Sequence, residues 1–318
     1  MTDRGKVLVT GGAGFVGSHL VDELMQRSFA VTVFDNMSTG RLANVSDYIG
    51  KKSFRLMKSD VRNARKMLEA AKGARAVFHF AAVVDVQRSI KDPLLTNQVN
   101  VLGTLNLLEA CRKTDVELAV YASSCALYGD AGKASIREDV PQRPTSPYAA
   151  SKLAAENYFL SFHKTYGLPI VCLRFFNIYG PRQNPGPYAG VVAKFVHRLL
   201  RNKPPIIYGH GRQSRDFLSV KDAVNACMLS LEKREALGQV MNIGSGRPIT
   251  INNLAGLLIK LTRRPGLRPV YQQFREGEIL HSKADIRLAR RILGYAPTVL
   301  LKDGLRQYVD WVKSVPRH

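Results

Sequence analysis

The sequence has few cysteines, and it contains neither a long apolar run nor a cluster of metal-ligating side chains. Its four cysteines, Cys111, Cys125, Cys172 and Cys227, form no CxxC pair and no Cys/His group, so they indicate neither a zinc site nor a disulfide framework. The seven histidines show no ligand spacing, and we expect no metal. Because the chain has no long uncharged apolar segment and no secretory-type N-terminus, we expect a cytoplasmic protein with no membrane association.

Acidic residues are also scarce: 25 Asp and Glu stand against 47 Lys and Arg, which gives a formal net charge of +22. Such an excess attracts polyanions over long distances. The basic residues are nevertheless spread along the chain, and the dense stretches "HRLLRNK" and "LTRRPGLRP" have helix-like apolar spacing or flank prolines. This pattern favours a solvated basic surface. We therefore do not expect nucleic acid as a partner, whereas an acidic substrate is compatible with the charge.

The first half of the chain alternates short apolar runs with amphipathic segments. "KVLVTGG", "AVTVFD", "RAVFHFAA" and "ELAVYASS" have the composition of strands buried on both faces, and "FVGSHLVDELMQR" has the 3.6-residue period of a covering helix. The pattern predicts an α/β fold with a Rossmann-type doubly wound parallel sheet. We predict a first domain over residues 1–175, completed by a segment near 219–244, and a smaller C-terminal α/β substrate domain over 176–318.

A glycine-rich turn follows the first predicted strand. "VLVTGGAGFVGSHL" places Gly11, Gly14 and Gly17 between that strand and a helix, where glycines allow a pyrophosphate to approach the backbone and the helix N-terminus. Asp35 ends the next strand, 18 residues beyond Gly17. Its carboxylate can accept hydrogen bonds from a ribose diol and repels the extra phosphate of NADP. The segment therefore predicts NAD binding.

The stretch "TSPYAASK" places Tyr148 and Lys152 four residues apart, on one face of a helix. An ammonium beside a phenol lowers the cost of the phenolate, so the tyrosine can take up and return a proton. Ser124 lies 24 residues before Tyr148, in "YASSCALYG" at the end of a predicted strand. Its hydroxyl is placed to bind a substrate oxygen and share that proton. We predict these three residues as the catalytic group.

Ordered motifs along the whole chain carry a family resemblance. "TGGAGFVGSH", "FDNMSTG", "NVLGTLNLLEA", "SSCALYG", "SPYAASK", "RFFNIYGPRQNP", "RDFLSVKD" and "NIGSG" follow the order found in extended short-chain dehydrogenase/reductases. Within that superfamily the chain most resembles UDP-hexose 4-epimerases. The resemblance implies NAD as cofactor, a UDP-sugar as substrate and a homodimer formed through the helices of "DPLLTNQVNVLGTLNLLEACRK" and "YAASKLAAENYFLSFHK".

The resemblance also implies roles for individual residues. Tyr148 corresponds to the catalytic acid/base, Lys152 to its partner on the nicotinamide ribose, and Ser124 to the third catalytic residue. Tyr148 and Lys152 are also implied to contact the cofactor. The other implied cofactor contacts are Gly11, Gly14, Phe15, Val16, Gly17, Asp35, Asn36, Ser38, Thr39, Gly40, Asp60, Val61, Phe80, Ala81, Ala82, Asn100, Ser123 and Phe175. The implied substrate contacts are Ser124, Tyr148, Asn177, Arg215, Arg275 and Ser282, with the two arginines clasping the pyrophosphate.

The implied reaction inverts C4 of the sugar through a 4-keto intermediate. Ser282 stands where a bulky aromatic residue restricts the family's pocket around C2, so a small residue there predicts activity on UDP-N-acetylglucosamine as well as UDP-glucose. Glu278 and Phe175 depart from the commoner Asp and Tyr of the family. Neither departure changes the predicted class.

Other members of the superfamily remain as alternatives. The 4,6-dehydratases carry an Asp-Glu pair after the hydroxyl residue, and UDP-glucuronate decarboxylases carry a glutamate at the second position, where this chain has Cys125 and Ala126. An epimerase-reductase of GDP-sugars shares the Ser-Ser-Cys run, but Gly190 stands near the place of its second acid. A non-catalytic NAD-binding scaffold with a basic partner surface is the alternative from another class.

Overall fold

The computed structural model describes residues 4–183, 189–274 and 279–315. The strands in these ranges are β1 (Lys6–Thr10), β2 (Ala30–Asp35), β3 (Phe54–Lys58), β4 (Ala74–His79), β5 (Leu118–Ser124), β6 (Ile170–Phe175), β7 (Ile178–Tyr179), β8 (Ile206–Tyr208), β9 (Ser214–Arg215), β10 (Leu218–Ser219), β11 (Gln239–Ile243), β12 (Ile249–Thr250) and β13 (Val270–Gln272). Seven of them form a parallel sheet in the order β3-β2-β1-β4-β5-β6-β11. This confirms the predicted Rossmann-type sheet.

The helices lie on both faces of this sheet and in the second half. They are α1 (Phe15–Gln26), α2 (Ala64–Ala71), α3 (Val86–Lys91), α4 (Pro93–Asn97), α5 (Gly103–Lys113), α6 (Pro147–Tyr166), α7 (Val191–Leu200), α8 (Val220–Ser230), α9 (Ile251–Leu261), α10 (Arg287–Leu293) and α11 (Leu301–Ser314). A π-helical turn over Gln98–Leu102 joins α4 to α5. Short 3₁₀ turns occur at Leu42–Asn44, Ser46–Tyr48, Cys125–Tyr128 and Arg234–Ala236.

Two apolar cores form because the sheet strands are hydrophobic on both faces. β6 is buried at every position, as a central parallel strand requires. Residues such as Val9, Leu20 and Met241 pack on one face, and others such as Phe34 and Leu107 pack on the opposite face. The sheet is therefore a rigid layer from which loops project at its edges.

A third core belongs to the second half of the chain. α7, α9 and α11 pack together there around Phe195, Leu254, Leu258 and Tyr308. The strand β11 returns from this half to the sheet and pairs with β6. The domain division after residue 175 stays a prediction.

The order of the strands locates the functional edge. The chain proceeds outward from β1 through β2 to β3 and then returns to β4 on the other side of β1. Loops after β1 and β4 consequently diverge at the carboxyl ends of these neighbouring strands and leave a crevice, the usual ligand position in doubly wound sheets.

Candidate active site

The glycine turn between β1 and α1 is tightly packed. Gly11 has a φ of +68°, and a Cβ there would lie 2.8 Å from the Ala81 nitrogen in the loop after β4. A Cβ on Gly17 would lie 2.3 Å from the Gly11 carbonyl oxygen. Gly14 caps α1 without a side chain. The predicted glycines and Ala81 therefore form one backbone surface at the helix N-terminus, which suits a pyrophosphate.

Asp35, at the end of β2, lies beside this turn. Its carboxylate accepts hydrogen bonds from the Ala13 nitrogen at 3.0 Å and the Met37 nitrogen at 2.8 Å. Burial raises its pKa, and the two backbone bonds oppose that rise. A Cβ on Gly40 would lie 2.9 Å from both carboxylate oxygens. Because each oxygen keeps a second lone pair and Gly40 leaves its approach open, this carboxylate fits a ribose diol.

The loops after β2 and β3 are joined by side chains at the same edge. Asn36 donates from Nδ2 to an Asp60 oxygen at 2.8 Å. Arg62 binds the same carboxylate at 2.8 Å and is the main reason that the pKa of Asp60 falls to about 2. Val61 is buried against Gly103. The remaining predicted contacts at this end are Phe15 and Val16 in the first turn of α1, Ser38 and Thr39 at the surface, and Phe80 and Ala82 after β4.

Tyr148 is the second residue of α6. Pro147 begins the helix, and the Ser146 hydroxyl caps it by accepting from the Ala149 nitrogen at 3.2 Å. This local start fixes Tyr148 over the carboxyl end of β5, because Ser124 ends that strand and hydrogen-bonds the phenol. Burial raises the pKa of Tyr148 to about 12, and the hydrogen bond from Ser124 lowers it.

The orientation of Ser124 follows from its own backbone contacts. Its Oγ accepts from the Ala126 nitrogen at 3.2 Å, at the start of the 3₁₀ turn. The hydroxyl proton therefore stays available to Tyr148. Cys125 also faces the phenol, and burial raises the pKa of its thiol to about 12. The structure thus brings Ser124 and Tyr148 together, as the sequence predicts for a proton-transfer pair.

Lys152 lies one turn further along α6 and is 4% exposed. Its ammonium nitrogen donates to the Ala122 carbonyl of β5 at 2.5 Å and lies 4.5 Å from the centre of the Tyr121 ring. Burial lowers the pKa of Lys152 to about 7, while Glu156 raises it. The side chain thus binds the strand below the site. The predicted effect of this ammonium on the Tyr148 phenolate stays a prediction.

Asn100 lies in the π-helical turn, a feature frequent at functional sites. Its side chain accepts from the Val83 nitrogen at 2.7 Å and donates to the Val83 oxygen at 3.0 Å. It also donates to the Ser151 hydroxyl at 2.9 Å, next to Lys152. Asn100 therefore joins the loop after β4 to the helix that carries Tyr148 and Lys152.

The predicted substrate residues approach the same place from the second half. Ser282 is 5% exposed, its nitrogen donates to the Ser214 oxygen at 3.1 Å, and its hydroxyl contacts the Cys125 thiol. Arg215 follows Ser214, and its charge lowers the pKa of Cys125. The structure therefore brings Ser282 and Arg215 to the residue beside Ser124. Arg275, the other predicted pyrophosphate ligand, lies outside the described residues. The same is true of Glu278, where the family more commonly has Asp.

Asn177 and Phe175 lie at the carboxyl end of β6. Phe175 is 7% exposed, and Asn177 donates from Nδ2 to the Asp216 carbonyl at 3.0 Å. The Asp216 carboxylate accepts from the backbone nitrogens of Ser245 and Ala284 at 2.8 and 3.0 Å. Asp216 lies in the quoted motif "RDFLSVKD" but was not assigned a role from the sequence, and it joins three loops of the substrate side. The acid following Arg215 in "SRDF" was the available signal.

Glu156 was also missed. It is 1% exposed, accepts from the Ser123 hydroxyl at 2.6 Å, and forms a buried ion pair with Arg174. The sequence signal was a third polar residue at four-residue spacing, after Tyr148 and Lys152, on an otherwise apolar helix face. Glu156 places a carboxylate directly behind the candidate catalytic group.

Metal clusters and membrane-spanning helices are absent from the described part of the chain. Within residues 4–183, 189–274 and 279–315, no group of three or more His, Cys, Asp or Glu side chains could hold a metal ion. Over the same ranges, no helix is long and apolar enough to cross a membrane.

The geometry defines a dinucleotide-dependent enzyme of the short-chain dehydrogenase/reductase type, with a Ser-Tyr pair at the carboxyl edge of the sheet. Residues 7–244 match the model of the NAD dependent epimerase/dehydratase family. The chain belongs to this family, which confirms the sequence-based recognition and NAD as the cofactor. The glycine turn, the open cap of α1 and the Asp35 carboxylate are the groups that would hold it.

Known proteins resemble the chain over nearly its full length. A putative UDP-glucose 4-epimerase of Methanocaldococcus jannaschii is 37% identical, over 97% of this chain and 98% of that protein. The UDP-N-acetylglucosamine 4-epimerase of Methanobrevibacter ruminantium, solved with UDP-N-acetylmuramic acid, has a TM-score of 0.93 and 37% identity, covering 99% of each chain.

The UDP-glucose 4-epimerase of Thermus thermophilus, solved with NAD, has a TM-score of 0.88 and 37% identity, covering 98% of this chain and 100% of that chain. A dTDP-D-glucose 4,6-dehydratase and a UDP-N-acetyl-glucosaminuronate decarboxylase are also relatives, each 30% identical. The comparisons therefore establish the family and leave several reactions within it.

Proposed function

We propose that the protein is a UDP-hexose 4-epimerase that interconverts UDP-glucose with UDP-galactose, and UDP-N-acetylglucosamine with UDP-N-acetylgalactosamine. The observation that carries this proposal is the hydrogen bond between Ser124 and Tyr148. The two residues that follow Ser124 in the sequence, Cys125 and Ala126, cannot serve as a second acid and base. The Cys125 thiol, with a pKa of about 12, holds its proton at neutral pH, and Ala126 has no proton to exchange. Elimination of water needs such groups, whereas inversion at C4 does not.

The chain's own residues then divide the reaction among them. Tyr148, as phenolate, accepts the proton of the sugar C4 hydroxyl and returns it after the 4-keto sugar has turned over in the pocket. Ser124 donates its single hydroxyl proton to the phenolate before the transfer, and to the C4 oxygen of the keto sugar once Tyr148 is protonated. Lys152 holds the nicotinamide ribose, and Arg215 binds the pyrophosphate. Bound NAD supplies hydride acceptance and hydride return at C4.

The substrate class is tested by proton NMR of the anomeric signals. Purified protein is incubated with UDP-N-acetylglucosamine and, separately, with UDP-glucose, and no cofactor is added. We expect the galacto epimer of each sugar, because the cofactor is restored in each cycle and stays bound. Tyr148→Phe removes the acid/base and serves as the control. Formation of a 4-keto-6-deoxy sugar would instead favour a dehydratase. Loss of carbon dioxide from UDP-glucuronate, in a parallel incubation, would favour a decarboxylase.

Ser282 determines which substituents the pocket accepts at C2 of the sugar. Its small side chain is buried beside Cys125, so a larger side chain would enter the same space. We expect Ser282→Tyr to abolish turnover of the acetylated sugar and to retain turnover of UDP-glucose, and Ser282→Ala to retain both. Equal loss of both sugars in the tyrosine variant, with a normal melting temperature, would contradict this assignment.

We further propose a homodimer formed through α4, the π-helical turn, α5 and α6. Leu94, Leu102 and Tyr158 are 76%, 46% and 39% exposed in these elements, so their side chains are available to pack against a second copy of the chain. Sedimentation equilibrium tests this arrangement. The variant Leu102→Lys should shift the protein from dimer to monomer, and an unchanged mass would contradict the proposed interface. The cytoplasmic location stays a prediction.

A further inference from the structure

The buried ion pair behind the catalytic group has no place in the reaction described so far. Glu156 and Arg174 are joined by bonds of 2.6 to 3.2 Å, with side chains that are 1% and 5% exposed. Burying two charges is costly, and an apolar pair of similar size is often no less stable. Stability alone is therefore a weak explanation for this pair, and its neighbours indicate another one.

Both neighbours of Glu156 belong to the candidate active site. Its Oε2 accepts from the Ser123 hydroxyl, and Ser123 lies between Ala122 and Ser124 at the end of β5. Ala122 is the residue whose carbonyl binds the Lys152 ammonium. Along α6, Glu156 follows Lys152 by one helical turn, so the two side chains share a face. One carboxylate thus fixes the strand that carries Ser124 and faces the lysine.

The other titratable and charged groups around Lys152 come from four elements. They are Tyr148 on α6, Tyr121 on β5, Cys172 and Arg174 on β6, and His79 on β4. Burial raises the pKa values of Tyr121 and Cys172 well above their ordinary values. Burial also lowers the pKa of His79 to about 3. These three groups are neutral near pH 7, and so is Tyr148 before it loses its proton, which leaves Glu156 as the anion facing Lys152 among the described residues in the resting protein.

We propose that Glu156 is a positioning residue that keeps Lys152 in its ammonium form and fixes the end of β5, with Arg174 holding the carboxylate in place. The inference rests on the proposed function, because the ammonium matters there as the partner of the Tyr148 phenolate. Burial opposes the ammonium, and the carboxylate one turn away offsets part of that effect. Glu156 acts through Lys152 and Ser123 and has no contact with the sugar in this role.

The proposal predicts a distinctive pH dependence for Glu156→Gln, a variant of nearly equal shape without the charge. The active form needs a phenolate on Tyr148 and an ammonium on Lys152. At acid pH, Lys152 is protonated with or without Glu156, so the kcat of the variant should equal that of the native enzyme. At alkaline pH the variant should lose about 10- to 100-fold, because a unit charge at this spacing is equivalent to about one to two pH units.

The experiment measures kcat and KM for UDP-glucose from acid to alkaline pH, across the range in which Lys152 titrates. Glu156→Asp keeps the charge and should recover most of the alkaline activity, whereas Glu109→Gln, at an exposed pair with Arg112, should match the native profile throughout. If Glu156→Gln does not fold, the double variant Glu156→Gln/Arg174→Met removes both buried charges and should show a smaller loss, again confined to alkaline pH, because removal of the Arg174 cation favours the ammonium. A loss that is equal at every pH would overturn the proposal and leave Glu156 a structural role.

The affinity for NADH provides a readout that does not depend on epimerase activity. Fluorescence titration of NADH is carried out on native protein and Glu156→Gln at the same pH values. Since the ammonium is predicted to hold the nicotinamide ribose, the variant should bind NADH as the native protein does at acid pH and more weakly at alkaline pH. Absence of turnover in native protein would refute the proposed function, and a pH-independent affinity ratio would separately refute the role of Glu156.

Discussion

Ser124 offers the sharpest test of the catalytic group. Its Oγ accepts the Ala126 N–H at 3.2 Å, which directs its own proton toward the Tyr148 oxygen. Replacement by alanine removes that donor and leaves the helix start of Tyr148 intact. A hydrogen bond to a charged acceptor contributes about 1.5–3 kcal/mol, so the phenolate of Ser124→Ala is less stable by about one to two pKa units.

The sign of this effect follows from the protonation states. The hydrogen bond lowers the pKa of Tyr148, so its removal raises that pKa further. At acid pH, where Tyr148 must lose a proton to act, kcat should fall about 10- to 100-fold. Because the pKa of Tyr148 is already about 12, the tyrosine is mostly protonated in both proteins up to about pH 11, and the loss should be the same at acid and at moderately alkaline pH. It therefore differs from the loss expected for Glu156→Gln, which appears only at alkaline pH.

The assay is the pH profile of kcat for UDP-glucose, followed by the appearance of UDP-galactose. Ser124→Thr keeps the hydroxyl and should retain most of the acid-side activity. Two results would refute the reasoning: a loss in Ser124→Ala of less than about twofold at acid pH, or a loss that appears only at alkaline pH. The first would mean that the phenolate does not need this donor, and the second would mean that Ser124 supports the Lys152 ammonium and not the Tyr148 phenolate.

Three further predictions concern the cofactor turn and the buried charges. Gly17→Ala should lose bound NAD on purification, because its Cβ would lie 2.3 Å from a backbone oxygen. Gly14→Ala, whose Cβ would lie 3.1 Å from its nearest atom, should retain more NAD. The absorbance of NAD released by acid measures the bound cofactor in both variants. Lys152→Met should be inactive but more heat-stable than the native protein, and the difference should be largest below pH 7. The pKa of Lys152 is about 7 in the folded protein and higher in the unfolded chain, so the free energy of unfolding of the native protein decreases as the pH falls toward 7. Equal melting temperatures at a pH below that native value would contradict this. Arg174→Met should cost about 3–5 kcal/mol in urea unfolding, and adding Glu156→Gln should restore much of it.

The sheet and the cofactor turn were predictable because they depend on local patterns. Continuous apolar runs specify parallel strands, and the spacing of Gly11, Gly14 and Gly17 specifies a tight turn in which Gly11 and Gly17 leave no room for a Cβ. The closeness of Ser124 and Tyr148 was predictable as well, since the end of a strand and the start of a helix meet at one edge of such a sheet. These features need no knowledge of distant contacts.

The hydrogen-bond acceptor of the Lys152 ammonium was not predictable in the same way. A four-residue spacing places two side chains on one helix face, but it does not decide which acceptor a long, flexible side chain reaches. That choice depends on the Ala122 carbonyl and the Tyr121 ring, which lie on β5, far earlier in the chain. The bonds of Asp216 to three loops depend on tertiary structure for the same reason.

The arrangement of α6 explains how one helix can supply both the phenolate and the ammonium that the proposed reaction requires. Tyr148 lies in its first turn, where Ser124 stabilises a negative oxygen, and Lys152 and Glu156 follow at the next two turns toward the interior. Each charged form has a separate supporting group, so the two protonation equilibria can be altered independently by Ser124→Ala and Glu156→Gln. If Ser124→Ala instead lost activity only at alkaline pH, as Glu156→Gln should, the phenolate and the ammonium could not be separate requirements, and the division of roles along α6 would be wrong.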